Sequence, residues 1–125
     1  MEFIENRPEK GRGPHYTPGV ASGNLLFISG QLSIDPVTRE IPKTIGEEAA
    51  LALKNLDDVL MAAGFSKTDV VSCRVYVTSI DYWDEVDAVY ASYFGEHRPA
   101  RAIVPVLPLH FGCNIEIEAV AERSN

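Results

Sequence analysis

The segment Thr44–Gly64 constrains this chain more than any other. Thr44-Ile45-Gly46-Glu47 reads as a capping box, a threonine followed three residues later by a glutamate. Behind it Ala49, Ala52, Leu53, Leu56, Val59, Leu60 and Ala63 recur at spacings of three and four, the apolar stripe of a surface helix. Gly64 supplies a left-handed stop. A helix with one long apolar face must lie on another element, and the chain offers strands. Val71, Cys73, Val75 and Val77 alternate with Ser72, Arg74, Tyr76 and Thr78. Ile115, Ile117 and Ala119 alternate with Asn114, Glu116 and Glu118, again the period of a half-buried strand.

The remaining segments fit around this frame. Residues 1–7 form a short edge strand in this reading. Glu9 to Gly23 holds Gly11, Gly13, Pro14, Pro18 and Gly19, which makes it a loop with fixed kinks. Gly23-Asn24 signals a turn, and Leu25 to Ser29 reads as a continuous apolar strand closed by Gly30. Asp35 to Pro42 is a polar loop. A second helix is predicted from about Asp81 to Phe94, with Tyr82/Trp83, Val86, Val89/Tyr90 and Tyr93/Phe94 inward and Gly95 as its stop. Strands near 101–106 and 113–122 finish the chain.

The resulting order, β-β-α-β-α-β-β, predicts an α+β fold with a mixed sheet and both helices on one face. Its 125 residues fit one domain spanning 1–125. The other sheet face, with Tyr76, Val104 and Val120, needs a cover, and a partner subunit is the natural one.

Composition narrows the function. Eighteen acidic against eleven basic residues leave a net charge of −7, which weighs against an electrostatic nucleic-acid partner. No apolar run reaches the ~18 residues of a membrane span. Met1 to Asn6 carries acids where a secretory leader carries lysines, and Cys73 and Cys113 read as reduced core residues, so a cytoplasmic setting is expected. His15, His97 and His110 lack the paired spacing of a zinc site, and no metal is expected. The chain also lacks a Walker A loop, a dinucleotide fingerprint and the G-x-S-x-G elbow.

Two groups carry candidate chemistry. Arg101 sits in the apolar run Arg98 to Val104. It is either a structural ion-pair partner or a bidentate clamp for a carboxylate, a task that suits the guanidinium fork better than lysine. Glu116 and Glu118 share one strand face. They are either a solvated pair or a place where one glutamate, its pKa raised by burial, activates a water. Arg101 and such a glutamate are expected to face each other across neighbouring strands. Tyr16 is read as a packed residue or a pocket wall.

Several motifs across nearly the whole chain resemble the Rid family, the YjgF-type reactive intermediate (enamine/imine) deaminases, also called endoribonuclease L-PSP-like proteins. They include Gly19-Val20, Ile28-Ser29-Gly30-Gln31, Asp35-Pro36-x-Thr38-x-Glu40-Ile41-Pro42, Asn55-Leu56, Tyr90-x-x-Tyr93-Phe94, and Pro99-Ala100-Arg101 with Ile115-Glu116-Ile117-Glu118-Ala119. The resemblance implies a chorismate-mutase-like fold and a homotrimer with sites between subunits. It implies that Arg101 binds the substrate carboxylate and Glu116 holds the attacking water, with Tyr16, Ser29 and Gly30 lining the pocket. Ile103 stands where many members have cysteine, and Asp87 where close deaminase relatives have asparagine; both positions fall in the implied substrate site. The implied activity is hydrolysis of 2-imino acids, formed from 2-aminoacrylate or 2-aminocrotonate, to 2-keto acids and ammonia, as in 2-iminobutanoate/2-iminopropanoate deaminase. No cofactor is implied. The alternative is a non-catalytic trimer that binds a small carboxylate, which Asp87 and Ile103 favour. Ribonuclease action is disfavoured by the charge.

Overall fold

The computed structural model of the chain describes residues 1–124. Its strands are β1 (Glu2–Ile4), β2 (Gly19–Ser22), β3 (Leu25–Leu32), β4 (Val70–Val77), β5 (Ala100–Pro105) and β6 (Ile115–Glu122), with helices α1 (Ile45–Ala62) and α2 (Trp83–Phe94). They form one six-stranded sheet in the order β1-β2-β3-β6-β4-β5. β4 and β5 run parallel, while β6 lies antiparallel between β3 and β4. β3 and β4 therefore point the same way, and each helix is a crossover between parallel strands, α1 over β6 and α2 beside it. This is the α+β architecture with a mixed sheet and both helices on one face that the sequence predicts.

The core forms where the two periodicities meet. From α1, Ala52, Leu56, Val59 and Leu60 are wholly buried; from the sheet, Leu26, Val75, Val77, Ile115 and Ala121 are too. Fully burying one such Leu, Ile or Val contributes about 1.5–3 kcal/mol. Thr44 caps α1 by accepting the Glu47 N–H at 3.2 Å, and Glu47 in turn accepts the Thr44 hydroxyl proton at 2.8 Å. Gly64, at φ +76°, makes the stop a left-handed one.

Three local readings are corrected. The loop Glu9–Gly23 ends in a strand: Gly19–Ser22 pairs with Leu25–Ile28 in a hairpin turned by Gly23-Asn24, so a third strand precedes α1. Alternation is too short over four residues to reveal it. Gly30 does not close β3; the strand runs to Leu32 past a bulge, because Ile28 pairs with Ala119 but Gln31 with Ile117. Val71 does not join the inward row. A second bulge lies between Val70 and Ser72, which turns Val70 inward and leaves Val71 47% exposed. Two interior polar features were absent from the sequence reading: Glu48 and Asn55 fall on the apolar stripe of α1 and are buried there.

The sheet face away from the helices carries Phe27, Val120, Tyr76 and Val104 by register. Phe27 is 47% exposed on it.

Candidate functional site

Arg101 opens the edge strand β5, where its backbone is uncovered but its side chain is only 23% exposed. Register decides where that side chain goes. Arg101 pairs with Cys73, whose neighbours on the same face are buried under the helices, so Arg101 lies on the helix side of the sheet. There α2 receives it. Arg101 Nη1 donates to Asp87 Oδ1 at 2.7 Å, and the guanidinium carbon stands 4.9 Å from the Tyr90 ring and 5.4 Å from the Trp83 ring. Asp87 and Tyr90 are three apart and so share one helix face. The aromatic faces favour the cation. The group opens on a hollow of about 480 Å³, to which Phe94, His97 and Arg98 contribute. His97 itself is anchored, its Nε2 2.7 Å from the Val70 carbonyl. Ile103, two residues on from Arg101, packs on the core beside Val75.

Glu116 lies on the opposite face. It pairs with Leu32 on one side and Tyr76 on the other. Cys73 and Tyr76, the β4 partners of Arg101 and Glu116, are three residues apart, an odd number, so their side chains point to opposite faces. The expectation that Arg101 and Glu116 face each other across neighbouring strands is thus overturned: β4 separates their strands, and the sheet separates their side chains. Sequence alternation shows which residues share a face within one strand, but not the register between strands.

What surrounds Glu116 is specific. The bulge sets Gly30 directly against it, and a Cβ on Gly30 would fall 2.8 Å from the Glu116 carboxyl carbon. Only glycine leaves this carboxylate its place. Glu116 is half-buried, and among the described residues its side chain has no hydrogen-bond partner. Burial, with the Glu118 charge adding, holds its pKa above the ordinary 4.5. Glu118 is engaged instead: it accepts the Tyr76 hydroxyl proton and lies 3.9 Å from Arg74. The two glutamates, equivalent by spacing, are therefore unlike in environment.

Ser29, next to Gly30 in β3, and Tyr16, which shares a hollow with Gly30, lie apart from the hollow at Arg101. The Ser29 hydroxyl donates to the Thr17 carbonyl at 2.6 Å, which ties β3 to the preceding loop and engages the hydroxyl. Tyr16 is 46% exposed and shares a hollow of about 190 Å³ with Gly30 and Arg7. Arg7 locks that loop: it binds Glu5 at 2.8 and 2.9 Å, donates to the Pro14 and Tyr16 carbonyls, and sits 4.3 Å above the Tyr16 ring. Sequence reasoning missed Arg7, for which the kinked loop gives no periodic signal. It also missed the buried Glu48, which accepts from the Ser33 hydroxyl, the Asn114 N–H and the Asn114 side chain at 2.7–2.9 Å. Its signal was available: Glu48, Ala52, Asn55 and Val59 recur at helical spacing, which places two polar residues in the apolar stripe.

A mixed sheet with two crossover helices, an arginine stacked on α2 and an unpaired, half-buried glutamate define a small α+β protein with two candidate charged sites. The chain belongs to the endoribonuclease L-PSP family, also known as the Rid or YjgF family, which it matches over residues 6–123. It is 44% identical to the RutC family protein PH0854 of Pyrococcus horikoshii, over 97% of this chain and 95% of that one. It is 38% identical to the 2-iminobutanoate/2-iminopropanoate deaminase of Escherichia coli, over 89% of this chain and 88% of that one. The solved structure of Escherichia coli TdcF with bound serine is similar throughout, with a TM-score of 0.92 at 35% identity, covering 99% of this chain and 100% of that one. The residues that resembled the family in sequence alone are therefore those of a member.

Proposed function

We propose that this chain is a hydrolytic deaminase of 2-imino acids, acting as a homotrimer whose sites form between subunits. The observation that carries the reading is the unpaired Glu116 carboxylate, kept clear by Gly30 and held above the ordinary glutamate pKa. A carboxylate of that kind is suited to orient a water and take its proton near neutral pH. Arg101 retains N–H groups beyond the one bonded to Asp87, and these orient the substrate carboxylate. Because one sheet separates the two, Arg101 of one copy works with Glu116 of another. Water adds to the imine carbon, its proton passing to Glu116. Glu116 returns that proton to the nitrogen, and the tetrahedral intermediate loses ammonia as its hydroxyl gives up a proton, leaving a 2-keto acid. Imine hydrolysis is intrinsically rapid, so positioning and one base suffice. Relatives named for deamination, and one solved with a small amino acid bound, support a substrate of this class.

A second reading has an observation of its own. Asp87 already engages Arg101, which fits a protein that binds small carboxylates without turning them over. Ammonia release from freshly generated 2-iminobutyrate separates the two. The deaminase reading expects a wild-type rate above the spontaneous one, and that excess is lost in Arg101→Ala while the assembly persists. A wild type that binds keto acids but adds nothing to the spontaneous rate leaves the binding protein.

A further inference from the structure

The hollow at Arg101 holds one carboxylate among its lining residues, Asp87, beside two arginines, Arg101 and Arg98. Asp87 is not peripheral to the cation. Its Oδ1 accepts from Arg101 Nη1 at 2.7 Å, and its side chain is still 40% exposed. Among the described residues this is the only hydrogen bond of the Arg101 side chain, so four of its five N–H groups remain available. Asp87 Oδ2 has no hydrogen-bond partner among the described residues. The surface thus presents a free guanidinium edge directly next to a free carboxylate oxygen, over the rings of Trp83 and Tyr90. A simple anion meets both charges: attraction by Arg101 and repulsion by Asp87. A molecule with a carboxylate and a cationic N–H on adjacent atoms meets both favourably.

We propose that Asp87 is a specificity residue that reads the nitrogen, so that the hollow takes small α-zwitterions, a carboxylate beside a protonated imine or amine, in preference to 2-keto acids. The inference rests on the reading that Arg101 holds the substrate carboxylate. Its chemistry distinguishes substrate from product. In the protonated imino acid, the N–H donates to Asp87. After hydrolysis the same position carries a ketone oxygen, an acceptor facing another acceptor with no proton between them. The product is therefore disfavoured where the substrate is held, and its release is assisted. An asparagine at this position would discriminate less, because its amide can donate to a ketone as well as accept from an imine.

The test uses two stable ligands of equal size, 2-aminobutyrate and 2-ketobutyrate, titrated calorimetrically against the full chain. Trp83, the only tryptophan, gives a second readout by its fluorescence. Wild type is expected to bind 2-aminobutyrate more tightly. Asp87→Asn is expected to weaken 2-aminobutyrate and strengthen 2-ketobutyrate, moving the ratio of dissociation constants by about tenfold or more. Asp87→Glu keeps the charge and should keep the order of preference. Equal weakening of both ligands by Asp87→Asn means that Asp87 only positions Arg101, and overturns the inference; so does a wild type that prefers the keto acid or binds no 2-aminobutyrate. The deaminase reading fails separately. A wild type that prefers 2-aminobutyrate but does not hydrolyse 2-iminobutyrate keeps the zwitterion site and loses the deaminase. Hydrolysis with an unchanged ligand ratio in Asp87→Asn does the reverse.

Discussion

Glu116 and Glu118 show how far two residues of one type on one strand face can diverge. Glu118 is bound by Tyr76 and approached by Arg74, whereas Glu116 is half-buried and faces Gly30. Glu116→Gln should abolish most of the catalytic excess while leaving the fold and carboxylate binding intact; Glu118→Gln should leave most of it. The pH profile gives an independent check. Glu116 must be ionised to take a proton, so activity falls as pH drops through its pKa, and burial sets that acid limb above 4.5. Glu118 raises the pKa further, so Glu118→Gln should move the limb to lower pH. A limb that stays in place assigns it to another group. Gly30→Ala places a methyl carbon 2.8 Å from the Glu116 carboxyl carbon. It is expected to cost about 1–3 kcal/mol in urea unfolding, the usual range for overpacking, with a disproportionate loss of turnover.

At the scale of elements, the α1 N-terminus is fastened to the sheet by a buried acid. Glu48 is 3% exposed and joins the end of β3, through Ser33, to the start of β6, through Asn114. β6 carries Glu116 and β3 pairs with it at Leu32, so the staple also positions the proposed catalytic carboxylate. Glu48→Ala strands three donors, of which the Asn114 N–H belongs to the backbone and cannot turn away. A loss of about 3 kcal/mol or more is expected, since a buried unsatisfied group costs about 1–3 kcal/mol. Chemical denaturation measures it. A loss below about 1 kcal/mol would indicate that water replaces the carboxylate at these donors.

At the scale of the whole molecule, the sheet decides how many copies the proposed site requires. Arg101 and Glu116 point away from each other in one chain, and the uncovered face carries Phe27, Val104 and Tyr76. Light scattering should give about three times the 13.7 kDa chain mass if the proposed three-fold closure holds. A mixing experiment is sharper. Arg101→Ala and Glu116→Gln should each lack the catalytic excess. Unfolded together and refolded, they should regain about one quarter of it, the share of interfaces in a random cyclic assembly that unite an intact arginine with an intact glutamate. No recovery from properly assembled mixtures would show that the two residues do not meet between copies.

The helices, their stops and the inward rows of β4 and β6 follow from the chain alone, because each rests on spacing within one element: Ala49 to Ala63 along α1, Cys73 to Val77 and Ile115 to Ala119 along the strands. The motifs around Arg101 and Glu116 marked the family for a related reason, since their types and order are local properties. Tertiary structure decided the rest. Whether Arg101 and Glu116 meet depends on strand order, on register and on the single-residue bulges at Ser29-Gly30 and Val71. A shift of one residue exchanges the faces of a strand, yet leaves its sequence unchanged. The environments of Asp87, Glu116 and Glu118 were undetermined for the same reason. Charge and hydrogen bonding act through distances that only the packed sheet and helices set, and here those distances give one carboxylate to Arg101, another to Tyr76, and leave the third open.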